Sequence, residues 1–183
     1  ASGYSYQVLE SMDVITHEIV DLLGDPRIQG EWKRRGLVIG DVQSGKTASY
    51  LGIVNKAADA GYKLIFLLAG GTESLRKQTQ YRVDEGVIGR DSRVSNQVQA
   101  IGVGHFSSTE IKVRAQSLTS YALDFNKAAA EGGTQLIDPN DPVPMIFVLK
   151  KNKTAIENAI RWYENQEHKD VPILVLDDES DYA

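Results

Sequence analysis

Residues 36–47 read Gly36-Leu37-Val38-Ile39-Gly40-Asp41-Val42-Gln43-Ser44-Gly45-Lys46-Thr47, and the fold turns on this stretch. Its last eight residues satisfy G-x-x-x-x-G-K-[ST] at all four constrained positions. At ordinary residue frequencies that coincidence falls in fewer than roughly one chain in a hundred of this length. Gly40 and Gly45 let a backbone wrap closely, so that successive N–H groups and a helix N-terminus point at a phosphate, with Gln43 and Ser44 inside the loop. Lys46 then reaches the β- and γ-phosphates of a nucleoside triphosphate, and the Thr47 hydroxyl ligates Mg²⁺. An apolar run before the loop predicts a strand over 36–39, and residues 46–60 predict the helix that the loop opens, ended by Gly61.

Further strands are predicted at 63–69 (KLIFLLA), 97–103, 145–149 and 173–176, all largely apolar, as when both faces of a parallel strand are covered. Helices alternate with them. Thr72 is a fair N-cap for a helix running towards Glu85 and ended by Gly86, residues 121–130 read as helical, and 153–166 carry Ile156, Ala159, Ile160 and Tyr163 at helical spacing. Upstream, an amphipathic helix is predicted over 11–23, stopped by Gly24-Asp25-Pro26. Residues 1–35 read as an N-terminal helical segment packing on a core formed by 36–183, and Lys33-Arg34-Arg35 as a solvated turn. The alternation implies an α/β fold: a mainly parallel sheet of about five strands, helices on both faces, sites at the carboxyl ends of the strands.

The run Ile173-Leu174-Val175-Leu176 delivers Asp177-Asp178-Glu179-Ser180-Asp181 at such an end. A phosphate loop hydrolysing ATP needs one carboxylate to hold Mg²⁺ and often a second to orient or deprotonate water. Asp178 suits the metal and Glu179 the water. Neighbouring strand residues point to opposite faces, which leaves Asp177 open as the metal's partner; Asp178 is favoured because Asp178-Glu179-Ser180-Asp181 then reads as a D-E-x-D box.

That box, following a phosphate loop, resembles the first RecA-like domain of superfamily-two helicases. More specifically, the stretch 36–47, with Ala60-Gly61-Tyr62-Lys63-Leu64-Ile65, Leu75-Arg76-Lys77-Gln78-Thr79-Gln80-Tyr81-Arg82, Lys150-Lys151-Asn152 and the acidic box, is similar to the bacterial Z-one domain proteins, often labelled putative endonucleases. Ser180 stands where the helicase box usually has Ala. The resemblance implies a three-layer, RecA-like P-loop NTPase with ATP and Mg²⁺ as cofactors, in a DNA-acting restriction or phage-defence protein that works beside a nuclease component. It also places nucleic-acid contacts on the helix after the second strand, at Arg76, Gln78 and Arg82. No nuclease constellation of acids or histidines is visible in these residues, and a further RecA-like domain, with the arginine that stabilises the transferring phosphate, is expected in a longer protein.

Composition sets the outer limits. The chain has 183 residues, 42 % of them hydrophobic and 25 % charged, as in ordinary globular domains. It has no cysteine, which excludes disulfides and thiolate metal sites, and His17, His105 and His168 lack ligand spacing. A net charge of −5 does not advertise a polyanion partner, so DNA binding would need a local basic track. No apolar run nears the ~20 residues that span a bilayer. A cytoplasmic enzyme without membrane contact is the expectation. Two other classes fit the phosphate loop: a phosphotransferase acting on a small molecule, and a nucleotide-gated scaffold.

Overall fold

The computed structural model describes residues 5–39, 46–94, 99–106, 114–131 and 136–178, with backbone alone at 46–48 and 129. Its contacts divide the chain into two compact units, Ala1–Gly61 and Tyr62–Ala183. The helix over 46–60 falls in the first of these, with the N-terminal helix.

In the first unit α1 (Tyr6–Leu22) packs on α2 (Lys46–Ala60). Ser5 caps α1, its side chain accepting from the Val8 N–H at 3.4 Å. The helices approach closely where Gly52 meets Thr16, a buried residue whose hydroxyl donates to the Met12 carbonyl at 2.7 Å. Lys56 on α2 adds an ion pair to Asp13 on α1 at 2.8 Å. That hydrogen bond and charge hold the Asp13 carboxyl below its ordinary range. Residues 36–39 are a correction: they form no strand, and Leu37, Val38 and Ile39 are exposed. An apolar run becomes a strand only where a neighbour accepts and donates its ladder bonds, and the described elements of this unit are both helices.

The second unit is built on an all-parallel sheet of four strands, β1 (Leu64–Ala69), β2 (Gln116–Ser117), β3 (Met145–Leu149) and β4 (Ile173–Asp178), in the order β2-β3-β1-β4. Central β1 sets Leu64, Phe66 and Leu68 opposite Met145, Phe147 and Leu149 on one side, and opposite Ile173, Val175 and Asp177 on the other. Those positions share a sheet face. Phe147 is its centre: it stacks on Phe66 at 4.5 Å and meets Trp162 and Phe125 at 5.0 and 5.2 Å. Trp162 and Ala159 come from α5 (Lys153–Glu164), the helix read from the Ile156–Tyr163 spacing. On the other face Ile65, Leu67, Ile146 and Val148 are buried too, which is why these strands read as unbroken apolar runs.

α3 (Glu73–Val83) starts as predicted, with the Thr72 hydroxyl accepting from the Leu75 N–H at 3.3 Å. It does not end at Gly86. The helix widens into a π turn over Asp84–Ile88, and Gly89, at φ 79°, closes it. Gly89 lies against Gly104: a Cβ on Gly104 would sit 1.8 Å from the Gly89 carbonyl oxygen, and one on Gly89 would sit 2.6 Å from the Gly104 Cα. The predicted strand at 97–103 is also corrected. Among its described residues Ala100 makes a single antiparallel bridge to Arg90, and Gly102–His105 form a 3-10 turn. The fourth strand of the sheet is instead the two-residue β2. Of the predicted 121–130 helix only 127–130 are helical, within α4 (Lys127–Glu131). Its first half is held open by turns: Ser120 N–H donates to the Leu123 carbonyl at 2.9 Å, and Phe125 N–H to the Asp124 carboxylate at 2.8 Å.

Candidate functional site

α2 is described from Lys46, within the phosphate-loop pattern of the sequence, to Ala60. Gly40, Gln43, Ser44 and Gly45 lie outside the described residues, as do the side chains of Lys46 and Thr47. Glu179 and the rest of the D-E-x-D box beyond Asp178 lie outside as well. Asp178 is described: it is the last residue of β4, exposed, paired in register with Ala69.

All four strands are parallel, so their carboxyl ends share one edge of the second unit. Gly70-Gly71-Thr72 leave β1 there, Thr119-Ser120-Tyr121 follow β2, Lys150-Lys151-Asn152 leave β3, and Asp177-Asp178 end β4. The Lys151 N–H donates to the Gly70 carbonyl at 2.7 Å, and its ammonium pairs with Asp177 at 2.8 Å. Of the two acids between which the sequence left the metal's partner open, Asp177 is engaged by a lysine on the face it shares with Leu68. Asn152 then caps α5, accepting from the Ala155 N–H at 2.8 Å.

α3 begins on the same edge. Arg76, expected to grip a nucleic-acid backbone, is fully buried. Its guanidinium donates to Glu73 at 2.7 Å and to the Ser120 and Tyr121 carbonyls at 2.8 and 2.9 Å. The fold uses this cation internally, so its place as a phosphate contact is corrected. The same hydrogen bond holds the Glu73 carboxyl below its ordinary range. Gln78 and Arg82 are exposed. Beside them Lys77 lies 5.5 Å over the Tyr121 ring, and Arg93 lies 4.2 Å over Tyr81 while pairing with Asp91 at 2.6 Å.

Beneath α3 runs a polar network that the sequence did not reveal. Gln80, fully buried, accepts from the Thr119 hydroxyl at 2.7 Å and donates to Asp84 at 2.8 Å and to the Ser117 hydroxyl at 3.2 Å. The other Asp84 oxygen accepts from both the N–H and the hydroxyl of Ser92. Thr119 Oγ1 also receives the Val148 N–H at 2.9 Å, which ties the network to β3. Burial pushes the Asp84 carboxyl above its ordinary value, and the Ser92 and Gln80 donors only partly offset this. Asp124 is likewise raised by burial. In sequence, the only hint was an amide and a carboxylate at i and i+4 on one helix face.

Among the described residues no helix is long and apolar enough to cross a membrane. Comparison of the chain with protein families, with curated proteins and with solved structures finds no match in any of the three.

Proposed function

We propose that the chain binds ATP and hydrolyses it with Mg²⁺, as a RecA-like motor domain of a helicase-like, DNA-acting protein of the Z-one type. One observation carries most of the weight: the residues that follow a G-x-x-x-x-G-K-[ST] pattern are helical, over Lys46–Ala60. The delivery of Asp178 to the carboxyl edge of a parallel sheet supports it. In this reading Gly40, Gln43, Ser44 and Gly45 cradle the phosphates and Lys46 neutralises the β- and γ-phosphates. The Thr47 hydroxyl and the Asp178 carboxylate are hard oxygen donors of the kind Mg²⁺ takes alongside phosphate oxygens, and the ion offsets charge developing on the transferring group. Glu179 orients and deprotonates the attacking water. Gln78 and Arg82 remain the candidate contacts to a DNA backbone, and a nuclease component is the expected partner in restriction or phage defence.

The test is ATP turnover with and without single-stranded DNA. DNA-stimulated turnover should fall by about 10²-fold or more in Glu179→Gln, which keeps ATP binding, whereas Lys46→Ala should lose binding itself. Unchanged turnover in Glu179→Gln would refute its role. Indifference to DNA would move the assignment to a nucleotide-gated scaffold, and phosphate transfer to an added metabolite would move it to a phosphotransferase.

A further inference from the structure

We infer that Lys77, Tyr81, Arg93 and Tyr121 form a stacking surface for single-stranded DNA on one flank of α3, with Arg93 and Tyr121 meeting bases and Lys77 a backbone phosphate. This rests on the reading that the protein acts on DNA, and it names the form of DNA and the side chains that hold it. Lys77 and Tyr81 stand one turn apart on α3, while Arg93 comes from the loop after the π turn and Tyr121 from the turn after β2. Pairs of a cation over an aromatic ring occur about once in 70–80 residues. Both of those among the described residues fall in this patch, Lys77 at 5.5 Å over Tyr121 and Arg93 at 4.2 Å over Tyr81. The charge of Arg93 acts on both phenols, so the two pairs lie side by side. With a net charge of −5 on the chain, attraction to a polyanion has to come from such a local group.

Buried charge fixes the patch in place. Tyr121 is held through its backbone on both sides, its N–H donating to the Ser92 hydroxyl at 2.8 Å and its carbonyl accepting from the fully buried Arg76 at 2.9 Å. Arg93 is held by Asp91, itself 2 % exposed, through Nε and Nη2. That side-on pairing uses neither Nη1 nor the guanidinium face turned away from Tyr81, and the Arg93 side chain is 46 % exposed. Planar guanidinium and phenol surfaces take any base by stacking, and a neighbouring ammonium takes the phosphate charge, which is how single strands are held without reading sequence. A duplex keeps its base faces stacked on one another and offers such a surface only its phosphates.

The test is fluorescence anisotropy of a labelled oligothymidylate with the full chain over a series of salt concentrations, beside a duplex of the same length, each variant first shown to be folded by circular dichroism. Wild type should bind the single strand more tightly than the duplex. Tyr121→Leu should weaken single-strand binding about tenfold, the size of one lost stacking contact, and Tyr121→Phe, which keeps the ring, should not. Arg93→Lys, which keeps the charge and the partner Asp91 but loses the plane, should also cost about tenfold. Lys77→Gln should weaken binding and lower the salt slope by about 0.7, as for one phosphate contact on a single strand. Unchanged affinity in Tyr121→Leu and Arg93→Lys beside firm binding by wild type would overturn the stacking surface, whatever Lys77→Gln does, and leave the DNA reading standing. Tighter binding of the duplex would overturn the single-strand assignment alone. Binding of neither form would remove the DNA reading, and the inference with it.

Discussion

Arg76 is the bulkiest of the fully buried side chains among the described residues, and it is charged. Its cost of burial is offset because the planar fork meets Glu73 and two backbone carbonyls at once. Removing it leaves the Ser120 and Tyr121 carbonyls without those donors, while Glu73, partly exposed, regains water. Arg76→Ala should therefore destabilise the protein by about 2–3 kcal/mol, read from urea unfolding. Arg76→Lys should recover less than half of that, since a point ammonium cannot serve three acceptors in one plane. Full recovery would show that charge alone matters there. Residue type could not have announced this role: in sequence Arg76 sits among Lys77, Gln78 and Arg82 as one more polar member of a helix, and only tertiary packing decides which of them is inside.

At the scale of elements, what could be read in advance was whatever a short stretch decides by itself. β1 and β3 are legible because each is a continuous, largely buried apolar run, β4 because its apolar run 173–176 is unbroken although Val175 is exposed, and α2, α3 and α5 because their caps or periodicity are local. β2 was not legible: Gln116-Ser117 holds no apolar pattern, and its place beside β3 comes from ladder bonds and the Gln80–Thr119 network. Residues 36–39 have the opposite character, with a strand's composition and no strand's hydrogen bonds. The candidate site divides the same way. A phosphate-loop pattern and an acidic strand end are local, whereas the pairing of Lys151 with Asp177 joins the turn after β3 to the end of β4 and leaves no trace in either segment. The caps offer a direct check. Asn152→Ala should cost about 1 kcal/mol in urea unfolding, because α5 carries Trp162 into the core and loses its one described side-chain cap bond. Asn152→Asp should be neutral or better, since a carboxylate suits a helix N-terminus. A loss below a few tenths of a kcal/mol in Asn152→Ala would mean that packing alone sets the start of the helix.

For the molecule as a whole, acid acts in two directions. Glu73 and Asp91 are held low by Arg76 and Arg93, so their contribution is present near neutrality and is lost as pH falls through their native values. Asp84 is raised by burial, so the native state binds that proton more tightly than the unfolded chain does. Its contribution is largest below 3.8, its ordinary value, and is lost as pH rises through the raised native one. Between those two values, lowering the pH should therefore stabilise the wild type relative to Asp84→Asn, measured as the difference in unfolding free energy at successive pH values. A difference independent of pH would mean that Asp84 titrates alike in both states. The abutting backbones of Gly89 and Gly104 bear on how genetic data would be read. The two positions are 15 residues apart and lie outside the candidate nucleotide-binding motifs, yet a methyl group at either would run into the other's backbone. In a saturation screen both would score as strongly as Lys46, and a survey of protein abundance beside activity would be needed to tell a chain that cannot close its loops from one that cannot use ATP.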